Sequence, residues 1–253
     1  RQRANLGRYF PPAVVDRPAA RDAPRELDRT HEATVMFVDL VGFTSLAETM
    51  SPAEAMDLLR GFHATVERIV FAHDGMVDKF MGDGVMACFG VPEPHPAAAA
   101  DALRAAFDLL AALTAPMPAA APAAANRRLA VGIGIHRGAV LMGDLGGATQ
   151  LQFTVVGDAV NVASRLEALT RSAGTALIVS DDVVAAARPH LEPACLERLE
   201  PLPDVRLRGR EETVMVWRLR AGLGDVGHDP DHPGISRSSD EAPGGDHRRL
   251  PQA

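Results

Sequence analysis

The sequence has 253 residues, and its 47% hydrophobic content suffices for one large packed domain with tails. A formal net charge of −7 argues against a broad nucleic-acid surface, which needs clustered Lys and Arg. The aromatic content of 4% is low for an RNA-binding sheet, which uses exposed aromatic side chains on its strands. Two cysteines make no disulfide framework, and no apolar run reaches the roughly 18 to 20 residues that cross a bilayer. We therefore predict a cytoplasmic protein with no nucleic-acid partner and no membrane span in this chain.

Composition divides the chain into three segments. Residues 1–29 are rich in charge and proline, which predicts a short helix and a linker. Residues 221–253 contain mainly Gly, Pro, Asp, Ser and His, which predicts a disordered tail. The packed domain is expected between them, at 30–220. Because the first residue is Arg, a longer protein with an upstream regulatory domain is a further expectation.

The run from Thr34 to Asp39 predicts a buried strand, because its residues are mostly β-branched or apolar. This strand ends on the carboxylate of Asp39. Residues 41–44 then turn toward a helix predicted to begin near Ser51 and Pro52, which are favourable residues for the N-cap and the first helical position. A carboxylate beside backbone N–H groups that are able to hold an anion suggests a metal and a phosphate.

A β-hairpin is predicted from 76–81 and 85–89, with Asp83 between two glycines at its tip. With a helix before it and an alanine-rich helix after it at 97–113, the order β-α-β-β-α-β matches a ferredoxin-like α+β core. That topology brings Asp39 and Asp83 together. Two carboxylates at adjacent strand ends suit a two-metal site for phosphoryl transfer. In the alternative, Asp39 caps a helix and Asp83 only forms a turn; we favour the metal site.

The next segment contains several glycines. Strands are predicted at 129–135 and 139–142, separated by 136–138, with a Gly-rich turn at 143–149. The glycines of 132–138 are similar to a dinucleotide-binding motif, but the third glycine comes one position too late and no clear helix follows, so we reject that interpretation. His136 within this segment is interpreted as structural.

Three polar residues stand out in otherwise apolar or helical segments. Lys79 lies in an apolar strand, where lysine is uncommon without a partner or a solvent-facing side. Asn161 and Arg165 are four residues apart in a predicted helix at 158–170, so both face the same side and are able to contact a ribose and a phosphate together. An outward-facing lysine and a solvated helix face are the alternatives, and the pattern by itself favours both of them.

Three motifs, at 37–44, 78–84 and 156–165, closely resemble the catalytic domain of class III adenylate cyclases, and the resemblance extends from about Thr30 to Leu219. It implies a ferredoxin-like core with additional C-terminal strands, working as a head-to-tail homodimer with its active sites at the interface. It also implies that ATP is converted into 3′,5′-cyclic AMP and pyrophosphate through attack of the ribose 3′-hydroxyl on the α-phosphate. Two Mg²⁺ or Mn²⁺ ions per site would be held by Asp39 and Asp83, with the backbone carbonyl of Leu40.

The same resemblance implies which residues contact ATP. By the part of ATP that each would contact, they are Gly42, Phe43 and Thr44 (triphosphate), Lys79 and Thr154 (adenine), Asn161 (ribose), Arg165 (α-phosphate), and Arg208 or Arg210 (terminal phosphates). Each site would combine two protomers. One protomer would hold the metal ions, and the other would supply the residues that contact the base, the ribose and the α-phosphate.

Thr154 departs from the commonest pattern of the family, in which an Asp partners the purine-reading lysine. A threonine hydroxyl is able to accept a hydrogen bond from the adenine 6-amino group, so ATP remains the expected substrate. Guanylate cyclases have Glu at the position of Lys79. Threonine at 154 resembles the subclass that includes bicarbonate-responsive cyclases, and a response to bicarbonate is a hypothesis. Guanylate cyclase activity and a catalytically silent, nucleotide-sensing dimerisation module are the alternative functions.

Overall fold

The computed structural model describes residues 30–114, 129–146, 151–206 and 213–220, which form an eight-stranded mixed sheet with helices on both faces. In chain order the elements are β1 (Thr30–Leu40), α1 (Phe43–Ala47), α2 (Pro52–Ala72), β2 (Gly75–Met81), β3 (Gly84–Phe89), α3 (Ala98–Thr114), β4 (Val131–Gly146), β5 (Leu151–Val156), α4 (Asp158–Ala173), β6 (Leu177–Ser180), α5 (Asp181–Ala187), a 3₁₀ turn (Arg188–His190), α6 (Pro193–Leu196), β7 (Leu199–Arg206) and β8 (Thr213–Leu219). The predicted segments at 1–29 and 221–253 lie outside the described residues.

The sheet has the strand order β2-β3-β1-β4-β6-β8-β7, and β5 pairs with β4. β1 runs antiparallel to both β3 and β4, whereas β4 and β6 are parallel. The first four strands with α2 and α3 form the β-α-β-β-α-β unit, and β5 to β8 extend the sheet. The predicted α+β fold, a ferredoxin-like core with additional C-terminal strands, is therefore confirmed.

β1 is the centre of the core because side chains on both of its faces are buried. Met36 and Val38 pack on the face covered by α2, α3 and α5, whereas Ala33 and Val35 pack on the face that carries α4. Side chains alternate between the faces of a strand, so a strand covered on both sides is apolar throughout. This explains the continuous apolar run that predicted the strand.

Helix α2 begins where the sequence predicts. The Ser51 hydroxyl accepts a hydrogen bond from the Glu54 N–H at 3.3 Å, and the Ser51 N–H donates to the Glu54 carboxylate at 2.8 Å. This reciprocal capping box satisfies N–H groups that have no partner inside the helix, and Pro52 at the first position has no N–H to satisfy. Among the described residues, no helix combines the length and apolar character needed to cross a membrane.

The prediction of two strands around residues 136–138 is wrong. β4 is one strand of 16 residues, and it pairs with β1 without interruption from Val131 opposite Leu40 to Leu141 opposite Thr30. Beyond β1 it continues beside β5, so the segment predicted as a Gly-rich turn is partly strand. Local turn signals are overridden here because the backbone groups of the long β1 need a partner along their whole length.

Candidate active site

Asp39 and Asp83 meet at one end of the sheet. Asp39 is paired with Gly84 in the β1–β3 ladder, and the Leu40 N–H donates to the Asp83 carbonyl at 3.1 Å. The Asp83 residue belongs to the tight β2–β3 turn, in which Gly82 adopts a left-handed conformation with φ of +69°. The antiparallel β1–β3 pairing thus brings together two residues that are 44 positions apart, although their role as metal ligands stays a prediction.

The electrostatics of this pair fit a cation site. Burial raises the pKa of Asp39, and the Asp83 charge raises it further, whereas Arg171 opposes the rise. Crowded carboxylate oxygens are the donors that a hard divalent cation prefers. Within the described residues no group of three or more His, Cys, Asp or Glu side chains gathers around a metal position. A divalent cation at Asp39 and Asp83 would need further oxygen ligands, which a phosphorylated substrate and water are able to supply.

Arg171 and Glu167, both on α4, lie at the same end of the sheet. The Arg171 guanidinium forms an ion pair with Asp39 of its own chain and lies 3.3 Å from Glu167 Oε1. Burial raises the pKa of Glu167 to about 7; Arg171 opposes this rise, while Asp39 and Asp83 add to it. Glu167 Oε1 makes no hydrogen bond within the described part of the chain. Arg171 therefore links Asp39 to a nearby carboxylate, and the sequence interpretation missed both Arg171 and Glu167.

Two glycines of β4 allow α4 to approach this end of the sheet. A Cβ atom on Gly134 would collide with the backbone of Ala163 and Glu167, and one on Gly132 would lie 2.8 Å from Glu167 Oε1. These glycines belong to the segment similar to a dinucleotide motif. Their role is close helix–strand packing, which supports rejecting the nucleotide-binding interpretation of that motif. His136 lies within β4 and is buried, and its Nδ1 lies 2.8 Å from Ser180 Oγ, which supports a structural role.

The loop after β1 differs from its prediction. Instead of turning directly toward α2, the chain forms the short helix α1, with Gly42 as its N-cap at φ of +75°. Phe43 is half-buried and packs against the main hydrophobic core, while Gly42 and Thr44 are exposed. The exposed groups predicted to face a triphosphate therefore begin three residues after Asp39 and are anchored by the Phe43 side chain.

Lys79 and Thr154 are in direct contact. The Lys79 ammonium donates to Thr154 Oγ1 at 2.7 Å, although the two residues are 75 positions apart in the sequence. The Asp78 carboxylate lies 2.9 Å from the same hydroxyl and accepts the Val155 N–H at 3.0 Å. The alternative of an outward-facing lysine is therefore wrong, because Lys79 has a specific polar partner on β5.

Asn161 and Arg165 lie on a different side of α4 from Glu167 and Arg171. At about 100° and 1.5 Å per residue, Arg165 is about 120° around the helix and about 9 Å along its axis from Arg171. Asn161 is exposed and Arg165 half-buried, and neither side chain forms a hydrogen bond or ion pair with another described residue. The structure does not bring them to Asp39 of the same chain. Arg208 and Arg210 lie outside the described residues.

Comparison with known proteins identifies the family. Residues 26–220 match the sequence model of the adenylate and guanylate cyclase catalytic domain. The chain belongs to this family. The cyclase domain is 33% identical over 198 residues to an adenylate cyclase of Anabaena cylindrica, a match that covers 76% of this chain and 37% of that protein. It is 32% identical over 188 residues to adenylate cyclase 1 of Rhizobium meliloti, covering 74% and 27% respectively.

Solved cyclase structures have the same fold. A bacterial light-regulated adenylyl cyclase superposes on 86% of this chain and 61% of its own, with a TM-score of 0.70 and 28% identity. The adenylyl cyclase CyaB from P. aeruginosa gives a TM-score of 0.64 at 25% identity, covering 79% of this chain and 98% of its own. The cyclase domain described here spans less than half the length of the two curated relatives.

The sequence contained a signal for some of the missed residues of the cyclase domain. Glu167 and Arg171 have the i, i+4 spacing of a helical ion pair, but nothing local places that pair beside Asp39. Asp78 precedes Lys79 in the strand, so alternation predicts opposite faces. A register shift between Val77 and Lys79 interrupts the β2–β3 ladder at Asp78, and such irregularities redirect side chains.

Proposed function

We propose that this domain is an adenylate cyclase that converts ATP into 3′,5′-cyclic AMP and pyrophosphate. The 2.7 Å hydrogen bond from Lys79 to Thr154 supports ATP over GTP most directly. It joins the two residues that the family resemblance assigns to the purine. Adenine has an acceptor at N1 and a donor at its 6-amino group, which complement a lysine donor and a hydroxyl acceptor.

The proposed metal site consists of Asp39 and Asp83, with the carbonyl of Leu40. Two Mg²⁺ or Mn²⁺ ions held there would activate the ribose 3′-hydroxyl and neutralise the charge of the leaving pyrophosphate. Gly42, Phe43 and Thr44 follow β1 after one intervening residue and would lie along the triphosphate. The remaining task of the protein is to position the reacting atoms and to supply charge where the transition state gains it.

We assign Asn161 to the ribose and Arg165 to the α-phosphate of a site whose metal ligands belong to a second protomer. The geometry of α4 supports this assignment, because its Arg171 side reaches Asp39 of the same chain while Arg165 faces elsewhere. A head-to-tail homodimer has two equivalent sites by symmetry, since each chain carries both the metal ligands and the residues that contact the base, the ribose and the α-phosphate. The isolated monomer is then expected to be inactive.

The substrate is tested by incubating the purified domain with ATP or GTP in Mg²⁺ or Mn²⁺ and measuring both cyclic nucleotides. Cyclic AMP as the main product supports the proposal. Cyclic GMP as the main product indicates a guanylate cyclase, and nucleotide binding without either product indicates a silent sensing module. A parallel pair of assays with and without bicarbonate, at fixed pH and ionic strength, tests the bicarbonate hypothesis.

Shared sites are tested by mixing two inactive variants. Asp39→Ala combined with Arg165→Ala should regain activity, because one of the two sites in the heterodimer keeps every functional residue. Asp39→Ala combined with Asp83→Ala is the matched control, since both sites of that heterodimer lack a metal ligand. Recovery in neither mixture, although heterodimers form, would contradict sites shared between protomers.

A further inference from the structure

The carboxylate of Asp78 is the buried centre of the contact between β2 and β5. Its side chain is 1% exposed, whereas that of Lys79 is 28% exposed. One oxygen, Oδ1, accepts the Val155 N–H at 3.0 Å. The other, Oδ2, lies 2.9 Å from Thr154 Oγ1 and 3.3 Å from Lys79 Nζ. Asp78 therefore contacts both residues of the proposed purine-reading pair, and its two oxygens are already engaged by Val155, Thr154 and Lys79.

The donors and acceptors in this network have a single consistent arrangement. A lysine ammonium only donates, so Thr154 Oγ1 accepts from Lys79. A carboxylate only accepts, so the single hydroxyl proton of Thr154 goes to Asp78. The Val155 carbonyl is the other acceptor near this hydroxyl, but it is neutral and 3.5 Å away. Thr154 is left with one free lone pair and no proton to offer.

This arrangement makes the pair complementary to adenine. An incoming base meets Lys79 first, because Thr154 is only 2% exposed, and the lysine offers a donor to the acceptor at adenine N1. The hydroxyl next to it offers only an acceptor, which suits the 6-amino group of adenine. Guanine has an N1–H donor and a 6-oxo acceptor. Its N1–H would face the Lys79 donor and its 6-oxo group would face the Thr154 acceptor, so neither hydrogen bond would form. Selectivity then depends on which way the Thr154 proton points.

We propose that Asp78 is a positioning residue that sets selectivity for the adenine base by taking the only proton of Thr154. The assignment rests on the proposed adenylate cyclase function and explains how a threonine, which is by itself able to donate or accept, acts only as an acceptor. Asp78 also holds Lys79 in place through the 3.3 Å ion pair. The β2 irregularity directs Asp78 toward β5 instead of continuing the regular ladder.

Asp78→Asn is the informative substitution because it changes the direction of one hydrogen bond without changing the size of the side chain. The Val155 N–H requires an acceptor, so it keeps the Asn oxygen at the Oδ1 position. The Asn amide N–H then faces Thr154 Oγ1 and donates to it. Thr154 regains a free proton that suits the 6-oxo group of guanine, and Lys79 loses its anionic partner.

The experiment measures kcat/KM for ATP and GTP, together with equilibrium binding of fluorescent ATP and GTP analogues. In Asp78→Asn the ratio of ATP to GTP efficiency should fall at least about tenfold, because a buried polar mismatch is costly. The binding preference should fall in the same direction. Asp57→Asn, an exposed position on α2, is the matched control and should leave the ratio unchanged.

Thr154 variants keep the test decisive if Asp78→Asn does not fold, as judged by thermal melting. Thr154→Ser retains the hydroxyl and should keep the ATP preference, whereas Thr154→Val should reduce it. In a Thr154→Val background, adding Asp78→Asn should change the ratio much less than it does in the wild type, because only the ion pair with Lys79 is left to lose. Equal losses for ATP and GTP in Asp78→Asn, or an unchanged ratio in Thr154→Val, would overturn the assignment. A wild-type domain that does not make cyclic AMP would instead overturn the proposed function.

Discussion

Glu167 should make the metal-free domain less stable as the pH rises from about 4.5 to about 7. Its pKa in the folded chain is about 7, compared with an ordinary value of 4.5. Between these values the folded state retains a proton that the unfolded state has released, so folding becomes less favourable as pH increases. This pKa difference, at about 1.4 kcal/mol for each pH unit, corresponds to a loss of about 3 kcal/mol in the free energy of unfolding. The value is an upper estimate because Arg171 is free to adjust toward the carboxylate.

Glu167→Gln removes this titrating group, so the free energy of unfolding should depend less on pH in the variant than in the wild type. The assay is urea unfolding from pH 4.5 to pH 8 with a metal chelator present, comparing the free energies of unfolding of the variant and the wild type. Glu67→Gln on the exposed side of α2 is the matched control and should reproduce the wild-type slope. If Glu167→Gln lost stability with pH as steeply as the wild type, the buried environment inferred for this carboxylate would be wrong.

Three other substitutions test separate features. Arg171→Gln removes the cation paired with Asp39, so Mn²⁺ binding measured by paramagnetic resonance should tighten about fivefold, and weaker binding would contradict competition between the arginine and the metal. Gly134→Ala should cost about 3 kcal/mol or more in denaturant unfolding because its Cβ overlaps the α4 backbone, whereas Gly138→Ala, whose Cβ would be 3.3 Å from its nearest neighbour, should cost clearly less. Ser51→Ala removes the α2 cap and should cost about 1 kcal/mol in the same assay, and no loss would argue against the cap.

Much of the fold follows from local patterns in the sequence. The apolar run before Asp39 predicts β1, the glycines around Asp83 predict the hairpin, and Ser51 with Pro52 predicts the start of α2. These signals are readable because strand burial, turn conformation and helix capping depend on neighbouring residues. The short helix α1 and the uninterrupted β4 were not predicted, since their formation depends on partners far away in the chain.

The residue types available to the site are readable from the amino-acid sequence: two acids at a strand end and in a tight turn, a lysine in an apolar strand, and an amide and a guanidinium on one helix face. Which groups these residues contact depends on the three-dimensional fold. Arg171 meets Asp39 across 132 positions and Thr154 meets Asp78 across 76, and neither contact is encoded in a local pattern. Sheet pairing and close helix packing make these contacts. They set the charge around the carboxylates and the direction of the Thr154 proton, because electrostatics and hydrogen bonding depend on distance in space and not along the chain.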